Sequence, residues 1–220
     1  GALRDLHSFP TRRSSDLPAG FDKKALDFIK YMRSKMADYE QLLTHNAILL
    51  ARTKNIGVLS AELALSYSVT GPNLRASGVR RDLRKDHPYL VYDKLDFNVP
   101  VRSSGDSWDR YRVRMDEIYE SLKIVEQAIG ALPEGNPTVK VGRVLKGAAG
   151  AECYCRSENP RGELGFYLVS DGTPGPYRLK IRAPSFSNIA VLPELVRGLK
   201  IADVICVLGS LDVVMGEIDR

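Results

Sequence analysis

The stretch Arg161 to Phe186, RGELGFYLVSDGTPGPYRLKIRAPSF, sets two strand-like runs around a turn-rich connection, and the rest of the chain is organised about it. Leu164 to Val169 and Tyr177 to Arg182 are rich in Tyr, Phe, Val, Leu and Ile, while the Ser-Asp-Gly-Thr-Pro-Gly-Pro segment between them breaks both strands. This is a hairpin with a long loop. Leu179 and Ile181 alternate with Arg178, Lys180 and Arg182, so the second strand is expected to turn an apolar face inward and a basic face outward. That basic face reads as a contact with a neighbouring protein or with the chain's own tail rather than a substrate site.

Composition bounds the remainder. With 220 residues, 44% of them hydrophobic, the chain can bury a sizeable core in one or two domains. No run of 18 apolar residues occurs, so neither a direct membrane span nor a secretory segment is expected. The 32 Lys and Arg against 27 Asp and Glu give +5, spread without a block of like charge, and no nucleic-acid partner is expected. Three cysteines, Cys153, Cys155 and Cys206, lack CxxC spacing, which argues against a disulfide framework or a four-thiolate metal site. If Cys153 and Cys155 lie on a strand they point the same way, and two small buried thiols are expected there.

Outward toward the N-terminus, His7 to Leu17, HSFPTRRSSDL, resembles a translated sequencing adapter, so residues 1–17 are set aside as an artefactual or disordered tail and residues 18–220 are taken as the domain, a fragment lacking its N-terminal portion. Asp22 is placed to cap a first helix whose apolar stripe is Leu26, Ile29, Met32, Met36, Tyr39 and Leu43. Leu59 to Tyr67 reads as a short helix capped by Ser60. Gly71 to Val79, GPNLRASGV, reads as a structural turn, and Pro88 disfavours helix at His87. Asp106 caps the longest helix, with Trp108, Tyr111, Met115, Ile118, Leu122, Val125 and Ile129 in register to a stop at Gly130 and Pro133. Arg110, Arg112 and Arg114 form a basic band on it, either a solvated face or a docking patch. A weak strand is expected over Val139 to Val144, and helices or buried runs over Ile189 to Arg197 and Ile201 to Leu208. The tail SLDVVMGEIDR is apolar for a chain end and is expected to be tucked in.

Five stretches in order, NLRASGV, DRYRVRMDEIYESLKIVEQA, PRGELGFYLVSDG, PYRLKIRAPSF and SLDVVMGEIDR, carry a resemblance. Over Pro18 to Arg220 the chain resembles the C-terminal half of the D subunits of bacterial NADH-quinone oxidoreductase, respiratory complex I, a family homologous to the large subunit of nickel-iron hydrogenases. The resemblance implies an α+β fold, a hydrogenase large-subunit-like helix bundle core with a small antiparallel sheet. It implies a part in the quinone-binding chamber, where electrons from NADH, carried by FMN and iron-sulfur clusters in partner subunits, reduce quinone with coupled proton translocation. Quinone is then the substrate, and no cofactor or metal is expected on this chain. The implied partners are the iron-sulfur and membrane-arm subunits of complex I, and the implied place is the cytoplasmic face of the bacterial inner membrane, peripherally bound.

Hydrogenases carry a CxxC pair for nickel and iron where this tail has no cysteine, and soft thiolates are what such a site needs. By resemblance the chamber candidates are instead Asp212, Val214 and the terminal Arg220, with Arg161 and Glu163 supporting the loop. The family's N-terminal HPSTHG-type loop and headgroup tyrosine do not occur in these residues, so no catalytic residue is assigned and the fragment alone is expected to be inactive. An assembly portion only, or a subunit of a related quinone-reducing or hydrogenase-type complex with another electron donor, is the alternative.

Overall fold

The computed structural model describes residues 20–132 and 146–219. The adapter-like segment, the strand expected at Val139 to Val144, Pro133 and Arg220 all lie outside them.

Helix α1 (Phe21–Tyr39) is capped by Gly20 in the left-handed region, not by Asp22, which sits in the first turn with no capping bond. Only Ile29 and Met36 of its stripe are fully buried, while Tyr39 and Leu43 are exposed. The helix runs into a π-helical turn, Glu40–Thr44, which widens the spiral and turns the register of the predicted stripe away from the core. Helix α2 (Ala47–Thr53) follows at once, capped by Asn46, whose side chain accepts from the N–H groups of Ile48 and Leu49. Helix α3 (Ala61–Ser66) starts at the expected cap, Ser60 accepting from the Leu63 N–H.

The turn expected at GPNLRASGV is a helical one. Pro72–Ala76 is a helical turn, α4, with every residue buried and proline at the first position, where its missing N–H costs nothing. A further turn, α5 (Leu83–Asp86), ends at His87 as Pro88 requires, and a 3-10 turn covers Tyr92–Lys94. The long helix α6 (Ser107–Gly130) is capped by Asp106, which accepts from the Asp109 N–H at 2.8 Å.

Strands β1 (Glu152–Asn159), β2 (Gly162–Ser170) and β3 (Pro176–Arg182) form an antiparallel sheet in the order β1-β2-β3, with Cys153 opposite Leu168, Cys155 opposite Phe166, and Leu168 opposite Leu179. The expected inward turn of β3 is corrected: Leu179 is about half exposed and Ile181 only partly covered, on a face of the sheet where Phe166 and Leu168 are also exposed. Cys153 and Cys155 point the same way but are exposed, not buried, on that same face.

The segment expected at Ile189 to Arg197 is divided between α7 (Pro184–Ile189) and α8 (Leu192–Leu195), and α9 (Ile201–Leu211) and α10 (Met215–Asp219) complete the chain. The core gathers Leu59, Ala64, Val69, Leu74, Val191, Leu195, Val207 and Leu211 between α3, α4, α8 and α9, with Val213 packed against it. The tail is thus tucked in at Val213, although Met215 projects outward. Among the described residues, no helix is long and apolar enough to cross a membrane. Among the described residues the architecture is α+β, helices with one small antiparallel sheet.

Candidate functional site

The C-terminus of α9 is where the polar side chains converge. A helix end leaves carbonyl groups without partners and carries partial negative charge, so donors and cations collect there. Arg114 Nη1 donates to the Ser210 carbonyl at 2.8 Å, and Asn73 Nδ2 donates to the Leu211 carbonyl at 3.0 Å. Asp212 then leaves the helix in the left-handed region, φ 54°, a conformation that Asp tolerates better than most residues. Its carbonyl and carboxylate turn toward Arg161: Nε reaches the carbonyl at 3.0 Å and Nη2 reaches Oδ1 at 3.3 Å. Arg114 Nε stands 3.7 Å from the other carboxylate oxygen. Two guanidinium groups therefore hold one aspartate.

Arg161 is presented by the β1–β2 turn, which is pressed against the start of α4. Gly71 and Gly162 meet there backbone to backbone, and Asn188 spans the junction, accepting from the Thr70 N–H at 3.0 Å and donating to the Arg161 carbonyl at 3.1 Å. Ser185 secures the next residues of the tail, its Oγ accepting from the Val214 N–H at 3.1 Å while its own N–H donates to Glu217. Asp212, Val214 and Arg161 are thus brought together. Glu163 is not with them. Its carboxylate is taken by Arg81 at 2.9 Å, with Tyr154 and Arg156 nearby, so it braces the sheet against the segment after α4.

Beside this junction is a cavity of about 390 Å3 lined among others by Arg75, Arg84, Arg114, Glu117, Glu158 and Asp212. Arg75 is 1% exposed and binds Glu117 at 2.7 Å, Glu158 at 2.9 Å and the Arg81 carbonyl at 2.9 Å. Burial works against its charge, but Glu117 and Glu158 outweigh it and the pKa is raised. Burial also raises the Glu158 pKa, against the pull of Arg75. Asp82 is penalised by burial as well, yet its bonds to Arg84 carry its pKa below the ordinary value.

The basic band on α6 is neither a solvated face nor a patch. Residues two apart on a helix do not share a face, whereas Arg110 and Arg114, four apart, do, and that face packs on α9. Arg110 is fully buried and donates to the Gly57 and Gly105 carbonyls and to the hydroxyls of Ser107 and Ser210. Burial, then repulsion from Arg114, pushes its pKa down to about 10, which still leaves it charged at neutral pH. Arg112 faces the other way and ties α6 to the π turn through both oxygens of Glu40. The functional reading of the sequence missed Asn73 and Ser185, took Arg75 as part of a turn, and left Arg114 in a band open to either reading. For Arg114 the four-residue spacing from Arg110 was the available signal.

Fold and site together define a helical α+β protein that clamps its own C-terminal tail beside a charged cavity. The chain matches the model of the respiratory-chain NADH dehydrogenase 49 Kd subunit over residues 13–148 and 143–220, and it belongs to that family. It is 52% identical over 205 residues to the D subunit of the NADH-quinone oxidoreductase of Bacillus anthracis, and 52% identical over the same length to that of Bacillus thuringiensis subsp. konkukian. The corresponding D subunit of Bacillus cytotoxicus is 49% identical over 205 residues. Each alignment covers 93% of this chain and 56% of the relative, so the chain spans about half the length of the curated relatives it matches.

Proposed function

We propose that this chain supplies one wall of the quinone-binding chamber of an NADH-quinone oxidoreductase, and that its tail, at Asp212 and Val214 and on to Arg220, faces the quinone headgroup. Arg161 is the residue that positions the tail. Electrons reach the quinone from NADH through FMN and iron-sulfur clusters carried by partner subunits, and their transfer is coupled to proton translocation. The rest of the subunit and the iron-sulfur and membrane-arm subunits are the partners, on the cytoplasmic face of a bacterial inner membrane. Residues 18–220 are the portion of the subunit that does this.

One observation carries the reading: the aspartate that ends α9 is held at both its carbonyl and its carboxylate by Arg161, with Arg114 behind it. A terminal loop held this way keeps one shape, as a wall against which a planar ring is positioned must. The relatives, D subunits of NADH-quinone oxidoreductase by name, supply the reaction. The test is made in the full-length subunit within its complex. Asp212→Asn and Arg161→Ala are expected to lower NADH-quinone activity more than NADH-ferricyanide activity, because the second assay draws electrons off before the quinone. Wild-type rates for both variants in both assays would leave this portion only a scaffold role.

A further inference from the structure

Cys153 and Cys155 lie outside the site described above, on β1, an edge strand, with both side chains exposed and their sulfurs 3.3 Å apart. We infer that this pair is a dithiol binding site for thiophilic centres that require two sulfurs and carry one apolar substituent, of which organoarsenic(III) compounds are the type.

The spacing selects this chemistry. A disulfide needs its sulfurs about 2.0 Å apart, and residues two apart on a strand have Cα atoms about 6.8 Å apart, the outer limit for such a bond. A bridging atom asks for less movement. Two bonds of about 2.3 Å at a tetrahedral angle span about 3.8 Å, within about half an ångström of the separation already present. A structural zinc ion would need two more ligands, and among the described residues no group of three or more His, Cys, Asp or Glu side chains could hold a metal ion. A centre satisfied by two sulfurs fits where a four-coordinate ion does not.

The surroundings fit the substituent. A cavity of about 320 Å3 opens beside Cys153, lined mainly by apolar groups, Leu168, Val169, Pro174 and Pro176 among them, with volume enough for an aryl ring. Phe166 and Leu168 stand directly across the strand pair from Cys155 and Cys153. In the reaction an arsenic(III) oxide, R–As=O, takes two thiols, forms two As–S bonds and loses its oxygen as water with the two thiol protons. Arsenic keeps its oxidation state, so no oxidant or reductant is needed.

The experiment treats the full-length subunit, in its complex and with thiols reduced beforehand, with phenylarsine oxide, followed by intact mass and peptide mapping. One phenylarsenic unit per chain is expected on the tryptic peptide 147–156, removable by excess small dithiol and retained in Cys206→Ser. It should be lost in both Cys153→Ser and Cys155→Ser, whose remaining thiol still reacts with iodoacetamide. No adduct on that peptide in the wild type, or an adduct that survives in either single variant, overturns the assignment.

Discussion

Arg161 reaches Asp212 across 51 residues of sequence and grips it twice, at the backbone carbonyl from Nε and at Oδ1 from Nη2. Both side chains are partly open to solvent, so the pair itself adds only about 1 kcal/mol to stability. Its value lies in geometry. Asp212→Asn keeps a residue suited to the left-handed backbone and removes only the charge, whereas Arg161→Ala releases both contacts. At about 1.4 kcal/mol per factor of ten, loss of one charge-assisted contact is expected to cut quinone turnover about fivefold to tenfold, with Arg161→Ala the more severe. Arg161→Lys should not rescue, since one ammonium cannot reproduce the two-pronged fork. Steady-state quinone assays on the three variants check the ranking.

The clamp depends on the close approach of Gly71 and Gly162. A Cβ on Gly71 would stand 2.5 Å from the Arg161 carbonyl oxygen, and one on Gly162 would overlap Thr70 Oγ1; both glycines also hold positive φ. Backbone, not a flexible side chain, is what stands in the way at Gly71. Gly71→Ala is therefore expected to destabilise the fold by about 2–4 kcal/mol and to reduce assembly of the subunit into its complex. Thermal melting and quantification of assembled complex measure it. An unchanged melting temperature would show that the β1–β2 turn does not bear on α4 as tightly as described.

The hairpin strands, the caps at Ser60 and Asp106 and the long α6 were legible because each rests on a local rule: alternation, a side-chain oxygen one turn ahead, a repeat of three and four. The clamp was legible only in part. Asp212, Val214 and Arg161 came from resemblance, while Arg75 reads as a turn residue and Arg110 and Arg114 as a basic band, because an arginine is surface by default unless its partners are known. Those partners lie far along the chain: Glu158 is 83 residues from Arg75 and Ser210 is 100 from Arg110. Cys153 and Cys155 fail in the opposite direction. Small thiols default to the interior, but the edge strand carries these two on a face where Phe166, Leu168 and Leu179 are exposed as well.

Arg110 gives a stability test separate from function. Its guanidinium supplies donors to two carbonyls and two hydroxyls, and among the described residues no carboxylate is in ion-pair contact with it. Arg110→Lys keeps the charge but has three donors on one nitrogen, so it leaves buried acceptors unmet, at about 1–3 kcal/mol each. Arg110→Lys is expected to lower stability by about 2–3 kcal/mol, and Arg110→Met by a similar amount, because it removes a costly buried charge while stranding the same acceptors. Urea titration of both variants checks this. A lysine variant as stable as wild type would show that charge, not the number of donors, holds α6 to the neighbouring loops.

The carboxylates around Arg75 should give pH dependences of opposite sign. The folded-state pKa of Glu158 is raised, chiefly by burial. Just above its unfolded value the native state therefore binds more protons than the unfolded chain, and stability from this group falls as pH rises through the window up to the raised folded value. Asp82 is the reverse: burial is outweighed by Arg84 and Arg75, its folded pKa is lowered, and its contribution is present above the unfolded value and lost as pH falls through the folded one. Glu158→Gln and Asp82→Asn each remove one titration. The stability of wild type relative to Glu158→Gln should decline with rising pH above the ordinary glutamate range, whereas that of wild type relative to Asp82→Asn should decline with falling pH below the ordinary aspartate range. Arg75 stays paired with Glu117 in both variants, so neither leaves it isolated. Urea melts across acidic to neutral pH measure the two differences, and slopes of the same sign would mean that Arg75 holds Glu158 ionised as firmly as Arg84 holds Asp82.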